Sequence, residues 1–276
     1  MSEASVETWS GKDRGDENFP VGSALIAARL RPHVHAYYAF ARNADDIADS
    51  DVLEAEDKVA RLDVMEDVLL GRRQEGAPSA ARLRASLAQT GVSALHATEL
   101  LIAFRQDATK LRYATWDELA DYCRYSAAPV GRYMLELHGE SRDTWAPSDA
   151  LCTALQVLNH LQDGAKDLQE LNRCYVPADM MSATGSGVDD LHKHALTPGM
   201  RRVLDQLLDR CDALNAEAGL LPRRTRDRRL RLETAVILGL AKRLAARLRR
   251  EDPLAARVKL RKGDAVLAML AAMRFL

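Results

Sequence analysis

Two runs of acidic residues at helical spacing carry the chemistry most plainly legible in this 276-residue sequence. Asp45 and Asp49 stand four apart, and on a helix such residues share a face. Arg42 and Tyr38 extend that face backward, so Tyr38, Arg42, Asp45 and Asp49 form one polar stripe, with Asp46 a step off it. Gln156, Asn159, Asp163 and Asp167 form a second stripe by the same geometry. Like charges at i, i+4 destabilise an isolated helix. One such pair alone reads as a solvated acidic face. Two pairs, each extended by amide, phenol or guanidinium groups, read as a site for divalent cations. Mg²⁺ takes hard oxygen ligands, binds through one or two carboxylates and shares its other positions with substrate phosphates. Facing helices with such motifs would clamp a diphosphate through Mg²⁺ and stabilise negative charge as it leaves.

The elements that must position these stripes are helices. Ala, Leu and Arg dominate, and aromatic residues are only 5%, so strand formers are scarce and an all-β fold is excluded. Helical patterns cover 22–48, with a break at Pro32, then 53–71, 80–90, 95–112 and 116–139. Others cover 149–171, 199–219, 229–250 and 264–275. Thr115-Trp-Asp-Glu118 reads as a capping box, and Ser148 or Asp149 as the cap of the helix bearing the second stripe. Residues 180–198 read as a loop with room for a short helix. The expectation is an all-α chain: a flexible arm over 1–17, then one helical domain over 18–276.

Composition narrows the function. Hydrophobic residues make up 47% and charged residues 29%, with a formal net charge of −1. This is a globular composition without the basic excess of a nucleic-acid binder, so no nucleic-acid partner is expected. Cys123, Cys152, Cys174 and Cys211 lack metal or disulfide spacing and read as reduced thiols of a cytoplasmic protein. The polar N-terminus lacks the apolar core of a signal peptide. The longest apolar run, Ala265 to Met273, falls short of the ~18–20 residues that a membrane span needs.

Four blocks together resemble one family. Tyr38-Ala-Phe-Ala-Arg42-Asn-Ala-Asp45-Asp46-Ile-Ala-Asp49 fits its first Asp-rich motif. Tyr122-Cys123 with Pro129-Val130-Gly131 fits its Tyr-Cys…Val-Gly helix. The stripe from Gln156 to Asp167 fits its second Asp-rich motif, and Asn172-Arg-Cys-Tyr-Val-Pro177 fits the segment that follows. In this order they resemble the squalene and phytoene synthases, the head-to-head prenyl transferases. That resemblance implies a single-domain isoprenoid-synthase helical bundle with a central active-site cavity. The departures matter. Asp16-Glu-Asn18-Phe-Pro-Val21 replaces the family's Ser-rich segment, and Gln162 stands where an Arg is usual. With Asn-His-Leu-Gln-Asp and Tyr-Cys-Arg-Tyr-Ser-Ala, they resemble the bacterial hydroxysqualene synthase subgroup.

The resemblance implies Mg²⁺-dependent conversion of presqualene diphosphate and water to hydroxysqualene and diphosphate. The alternative is a member that condenses two prenyl diphosphates to presqualene diphosphate, squalene or phytoene. A catalytically silent scaffold subunit is a third reading, and the intact stripes argue against it. Residue by residue, it implies Asp45, Asp49, Asn159, Asp163 and Asp167 as metal ligands. Arg42 and Arg173 would neutralise the leaving group, with Lys166 a lesser candidate. Tyr38 and Tyr122 would steady a carbocation or orient water. Asn18, Ser126, Val130, Gly131, Gln156 and Tyr175 would contact substrate. The implied functional partners are a presqualene diphosphate synthase and a flavin-dependent reductase that forms squalene. Peripheral contact with the inner membrane face also follows from lipid substrates.

The remaining features read as structural. Arg223 to Arg231 holds six arginines and reads as a solvated, salt-bridged connection, with an anionic membrane surface or a diphosphate as alternatives. His192 and His194 read as surface residues, His160 as lying beside the second stripe, and Asp189-Asp190 as a cap. The last helical pattern, 264–275, reads as core rather than as a membrane anchor.

Overall fold

The computed structural model describes residues 5–7 and 25–275. Among them are α1 (Arg31–Ala48), α2 (Ala55–Leu69), α3 (Pro78–Thr90), α4 (Leu95–Thr109), α5 (Trp116–Ser126) and α6 (Ala128–Leu137). They continue as α7 (Trp145–Leu171), α8 (Ala178–Ala183), α9 (Pro198–Glu217), α10 (Leu221–Arg224), α11 (Arg228–Leu248) and α12 (Lys262–Ala272). The fold is all-α. The β pairing among the described residues is an isolated bridge between Arg112 and Cys174. The chain divides into two compact units, Met1–Thr109 with Arg132–Gly139, and Lys110–Gly131 with Glu140–Leu276.

In the first unit, α1 packs on α3 and α4, and α2 packs on the same two helices. Val34, Tyr37, Phe40, Ala44 and Ile47 put the apolar face of α1 into a core shared with Leu62, Met65, Leu83 and Leu101. That fixes the rotation of α1 and leaves Tyr38, Arg42, Asp45 and Asp49 half-buried on its other side. Tyr37 and Tyr133 stack at 3.9 Å, and their hydroxyls donate to the carbonyls of His96 and His33. Of the residues read as a flexible arm, Ser5–Glu7 are described and tied down. The Val6 N–H donates to Gly76 O, Arg61 donates to Val6 O, and Glu7 accepts from Ser79. The rest of 1–17 lies outside the described residues.

In the second unit, α7 packs on α9 and α11. Leu151, Ala154, Val157, Leu158 and Leu161 of α7 are buried with Val203, Leu204, Leu207 and Leu208 of α9 and Leu238, Ala241 and Leu244 of α11. α7 has 27 residues, about 40 Å at 1.5 Å per residue. It therefore carries the whole second stripe on one rigid rod.

Several expected boundaries move for identifiable reasons. Residues 25–30 form turns, and the first helix starts at Arg31 with Pro32 in its first turn, where the missing N–H is no loss. The helix expected over 116–139 is two helices. Ala127 sits at φ −124°, ψ −47° between them, because Pro129 cannot donate to the carbonyl four residues back. α7 begins at Trp145 rather than near Ser148 or Asp149, so neither is its cap. Thr115 does cap α5, accepting from the Glu118 N–H, and Asp190 accepts from the Gly187 N–H. The final helix corrects the reading of 264–275 as core. Within α12 the buried residues are Asp264, Ala268 and Ala272, a single narrow stripe.

Candidate active site

The first acidic stripe survives as drawn, with Asp49 standing as the C-cap of α1 in helical conformation. Arg42 is not free to meet a leaving group. Its Nε and Nη2 donate to Asp46 Oδ1 at 3.0 and 2.7 Å, and its Nη1 lies 3.2 Å from Asp45 Oδ2. Arg42 therefore positions Asp45, and Asp46 is the residue that anchors the guanidinium. Asp45 is crowded by protein, yet 37% of its side chain is open. Desolvation, then the charge of Asp49, push its pKa up to about 8; Arg42 opposes this, while Asp107 and Asp46 add to it. Asp107, on α4 and buried, was not singled out by the sequence pattern.

The second stripe lies along α7. Asp163 is held by Arg257 through two parallel contacts, Nε to Oδ1 and Nη2 to Oδ2, both 2.8 Å. Such fork-on-fork pairing fixes a carboxylate in orientation as well as charge. Gln156 and Asn159 are half-buried on the same face. Gln162 is turned away from it. Its Nε2 donates to Val258 O, and its Oε1 has no partner among the described residues. In this chain the departure from Arg thus avoids burying a charge beside the 257–258 segment. Lys166 is exposed, 3.7 Å from Glu170.

Past α7 the chain turns at Asn172, with φ +53°. The next residues run beside 111–114: Cys174 N donates to Leu111 O and Ala178 N to Tyr113 O. Arg112 binds the Asn172 carbonyl and side chain. This strap buries Arg173 and Tyr175. Tyr175 stacks on His160 at 3.6 Å and lies 5.5 Å from both Tyr113 and Tyr122. His160 Nδ1 is 4.0 Å from Asp167 Oδ2. Burial, with the neighbouring charge of Arg173, depresses the His160 pKa to about 3. The imidazole is therefore neutral, one face of an aromatic wall beside the second stripe. Tyr113 and His160 complete that wall and were not assigned from sequence.

Among the described residues no three His, Cys, Asp or Glu side chains form a ready metal cage. Mg²⁺ does not need one, because it draws most of its ligands from water and phosphate. The all-oxygen donor set and the like-charge crowding at Asp45 fit such a cation. Within the first unit Asp45 and Asp49 are the residues that would hold such a cation, and within the second unit, taken by itself, Asn159, Asp163 and Asp167 are.

A family model described as "Squalene/phytoene synthase" matches residues 12–264. The chain belongs to the squalene/phytoene synthase family. A hydroxysqualene synthase of Rhodopseudomonas palustris is 47% identical over 99% of this chain and 93% of its own length. One from Zymomonas mobilis is 44% identical over 95% and 89%. The crystal structure of a squalene synthase from Alicyclobacillus acidocaldarius is 34% identical, with a TM-score of 0.75 over 86% of this chain and 90% of that one. A dehydrosqualene synthase structure at 21% identity has a TM-score of 0.77 over 94% and 92% and shares the fold. This squalene/phytoene synthase family member is thus all-α in the manner of the enzymes it resembles.

The expected substrate contacts are placed unevenly. Ser126 Oγ is buried without a partner among the described residues, Val130 is exposed, and Asn18 lies outside the described residues. Gly131 has a packing role. A Cβ there would lie 2.7 Å from the Cys152 sulfur and closer still to the Ser148 hydroxyl, both on α7. Gly131→Val is expected to destabilise the fold by about 1–3 kcal/mol through overpacking. Gly164, inside α7, faces open space, so Gly164→Ala is expected to stabilise by about 0.5–1 kcal/mol. Thermal denaturation of the two variants checks both signs. The four cysteines are free thiols, and burial pushes Cys211 up to about 12. His192 and His194 are exposed, as expected.

Proposed function

We propose that this family member converts presqualene diphosphate and water to hydroxysqualene and diphosphate, using Mg²⁺. The reading is carried by relatives of that name at 44–47% identity over 94–99% of the chain. A bound cation would supply charge neutralisation to the departing diphosphate. The chain's residues do the rest. Asp45 and Asp49, at the end of α1, would hold one cation, with Arg42 fixing Asp45. Asn159, Asp163 and Asp167 would hold one on α7. Arg173 donates to the departing diphosphate, which keeps the bonding electron pair. The cyclopropylcarbinyl cation rearranges and takes water at carbon, and the water's proton passes to diphosphate or solvent. Tyr122 and Tyr175 offer ring faces that steady positive charge without a nucleophilic atom, and Tyr38 does so from the first stripe.

The lipid character of substrate and product puts the work at the cytoplasmic face of a membrane. A presqualene diphosphate synthase would act before it, and a flavin-dependent reductase after it. No helix among the described residues is long and apolar enough to cross a membrane.

The test is product analysis by mass spectrometry with Mg²⁺ and no NADPH. Presqualene diphosphate, farnesyl diphosphate and geranylgeranyl diphosphate are supplied separately. Hydroxysqualene from presqualene diphosphate alone is the expected result. A C30 or C40 product from either prenyl diphosphate assigns the chain to the condensing branch of the family instead.

A further inference from the structure

Helix α12 reverses the usual distribution of large and small side chains. Its inward stripe is Asp264, Ala268 and Ala272, and Ala268 sits so close to α11 that a Cβ on Gly239 would lie 3.1 Å from its own. Small residues face the protein, and large ones face out. Val266, Leu267, Met269, Leu270 and Met273 are each between 48% and 59% exposed. At 100° per residue, Val266, Met269, Leu270 and Met273 fall within one sector about 100° wide, opposite the buried stripe. A contiguous apolar face of this kind marks a surface that something covers.

Charge identifies the cover. Lys259, Arg261 and Lys262 lead into α12, and Arg274 follows it, all of them exposed. From Lys259 to Phe275 the one acidic residue is Asp264. It is buried and spent on Arg247 at 2.8 Å and Arg243 at 3.8 Å. The outward surface is therefore apolar with a mainly cationic border, Glu251 standing 3.8 Å from Arg261 at its edge. That border complements phosphate headgroups, while the apolar sector complements the acyl boundary beneath them. At 11 residues the helix is about 16 Å long, too short to span a bilayer, so it lies in the plane of the surface. The arginine-rich 223–231 segment lacks these properties. Its Arg224 and Arg231 side chains are bonded to backbone carbonyls, and no exposed apolar stripe accompanies them within that segment.

We infer that α12 and the basic segment before it form a docking surface for an anionic lipid bilayer. Only the purpose of this contact, access to a lipid substrate, rests on the function proposed above; the binding is independent of turnover. The test uses the full chain in vesicle co-sedimentation, with phosphatidylcholine alone or with added phosphatidylglycerol. The wild type is expected to sediment with the anionic vesicles, and Leu270→Glu/Met273→Glu to bind at least about tenfold more weakly. A Lys259→Gln/Lys262→Gln variant is expected to lose the preference for anionic lipid while keeping its melting temperature. Circular dichroism checks that each variant folds. Wild-type protein that stays in solution, or a double Glu variant that sediments equally well, overturns the inference. So does a wild-type dimer that the double Glu variant dissociates, with no lipid binding by either, since the cover is then a second copy. Turnover of detergent-dispersed substrate, measured in parallel, separates a failure here from a failure of the proposed reaction.

Discussion

Asp45→Asn and Asp163→Asn are each expected to lower turnover by about 10³-fold or more, the equivalent of several kcal/mol of lost charge stabilisation. The fold should survive both changes. Asp45 sits on the half-buried side of α1, away from the Phe40, Ala44 and Ile47 core, and Asp163 is paired only at its oxygens with Arg257. The two variants should differ in stability. The pKa of Asp45 is raised from 3.8 to about 8, by desolvation first and by Asp49 next. Between those values the folded protein binds a proton that the unfolded chain has released, so this group lowers stability as pH rises through the window. Removing the charge should make metal-free Asp45→Asn melt above the wild type, with an advantage that grows from pH 5 to pH 8. Asp163→Asn leaves Arg257 without its bidentate partner and should melt no higher than the wild type. Adding Mg²⁺ should raise the wild-type melting temperature and raise that of Asp45→Asn by less. Calorimetry in two buffers of different ionisation enthalpy adds a further readout, because binding near neutral pH should release a proton from Asp45. Full activity in either variant removes that residue from the metal assignment, and Mg²⁺ stabilisation of Asp45→Asn equal to that of the wild type removes Asp45.

Both stripes were legible because their information is local. Residues three and four apart on one helix must share a face, whatever surrounds the helix; α7 covers the whole of its stripe, and α1 covers its stripe up to Asp49, the C-cap, which keeps a helical conformation. What escaped lies on other elements. Asp107 reaches the neighbourhood of Asp45 from α4, and Arg257 reaches Asp163 from beyond α11. Neither falls at a period that connects it to its partner. Arg42 shows a subtler limit. Its place on the stripe was correct, but the i, i+3 spacing that put it beside Asp45 came with an i, i+4 spacing that gave it to Asp46. Gly131, expected to contact substrate, is also where the chain makes room for α7; the spacing of small residues does not say what packs against them. The final helix misled for a related reason. An apolar run usually means burial, and only the packing of α12 shows that alanines took the inward side.

Arg173→Gln should separate the chemistry at the diphosphate from the architecture of the aromatic wall. Arg173 is 5% exposed on the strap that follows α7, and a charge is rarely kept at such depth without a task. Removing a fixed donor aimed at developing negative charge costs about 10²–10³-fold in kcat, and that is the expected loss. KM should change far less, because the lost interaction strengthens only as the diphosphate departs. Arg173→Lys should recover little of it, since an ammonium cannot present two parallel donors. The second readout is His160. Burial is the larger cause of its depressed pKa and Arg173 the smaller, so Arg173→Gln should raise that pKa only in part. For the wild type, the unfolded chain binds a proton below pH 6.5 that folded His160 refuses until about pH 3, so stability falls as pH drops through that window. The variant should lose less stability over the same range. The imidazole resonances, followed by NMR against pH, report this directly. A variant with normal kcat and a shifted His160 leaves Arg173 as a structural charge only. One with reduced kcat and an unmoved His160 keeps the catalytic role and removes Arg173 from the wall's electrostatics.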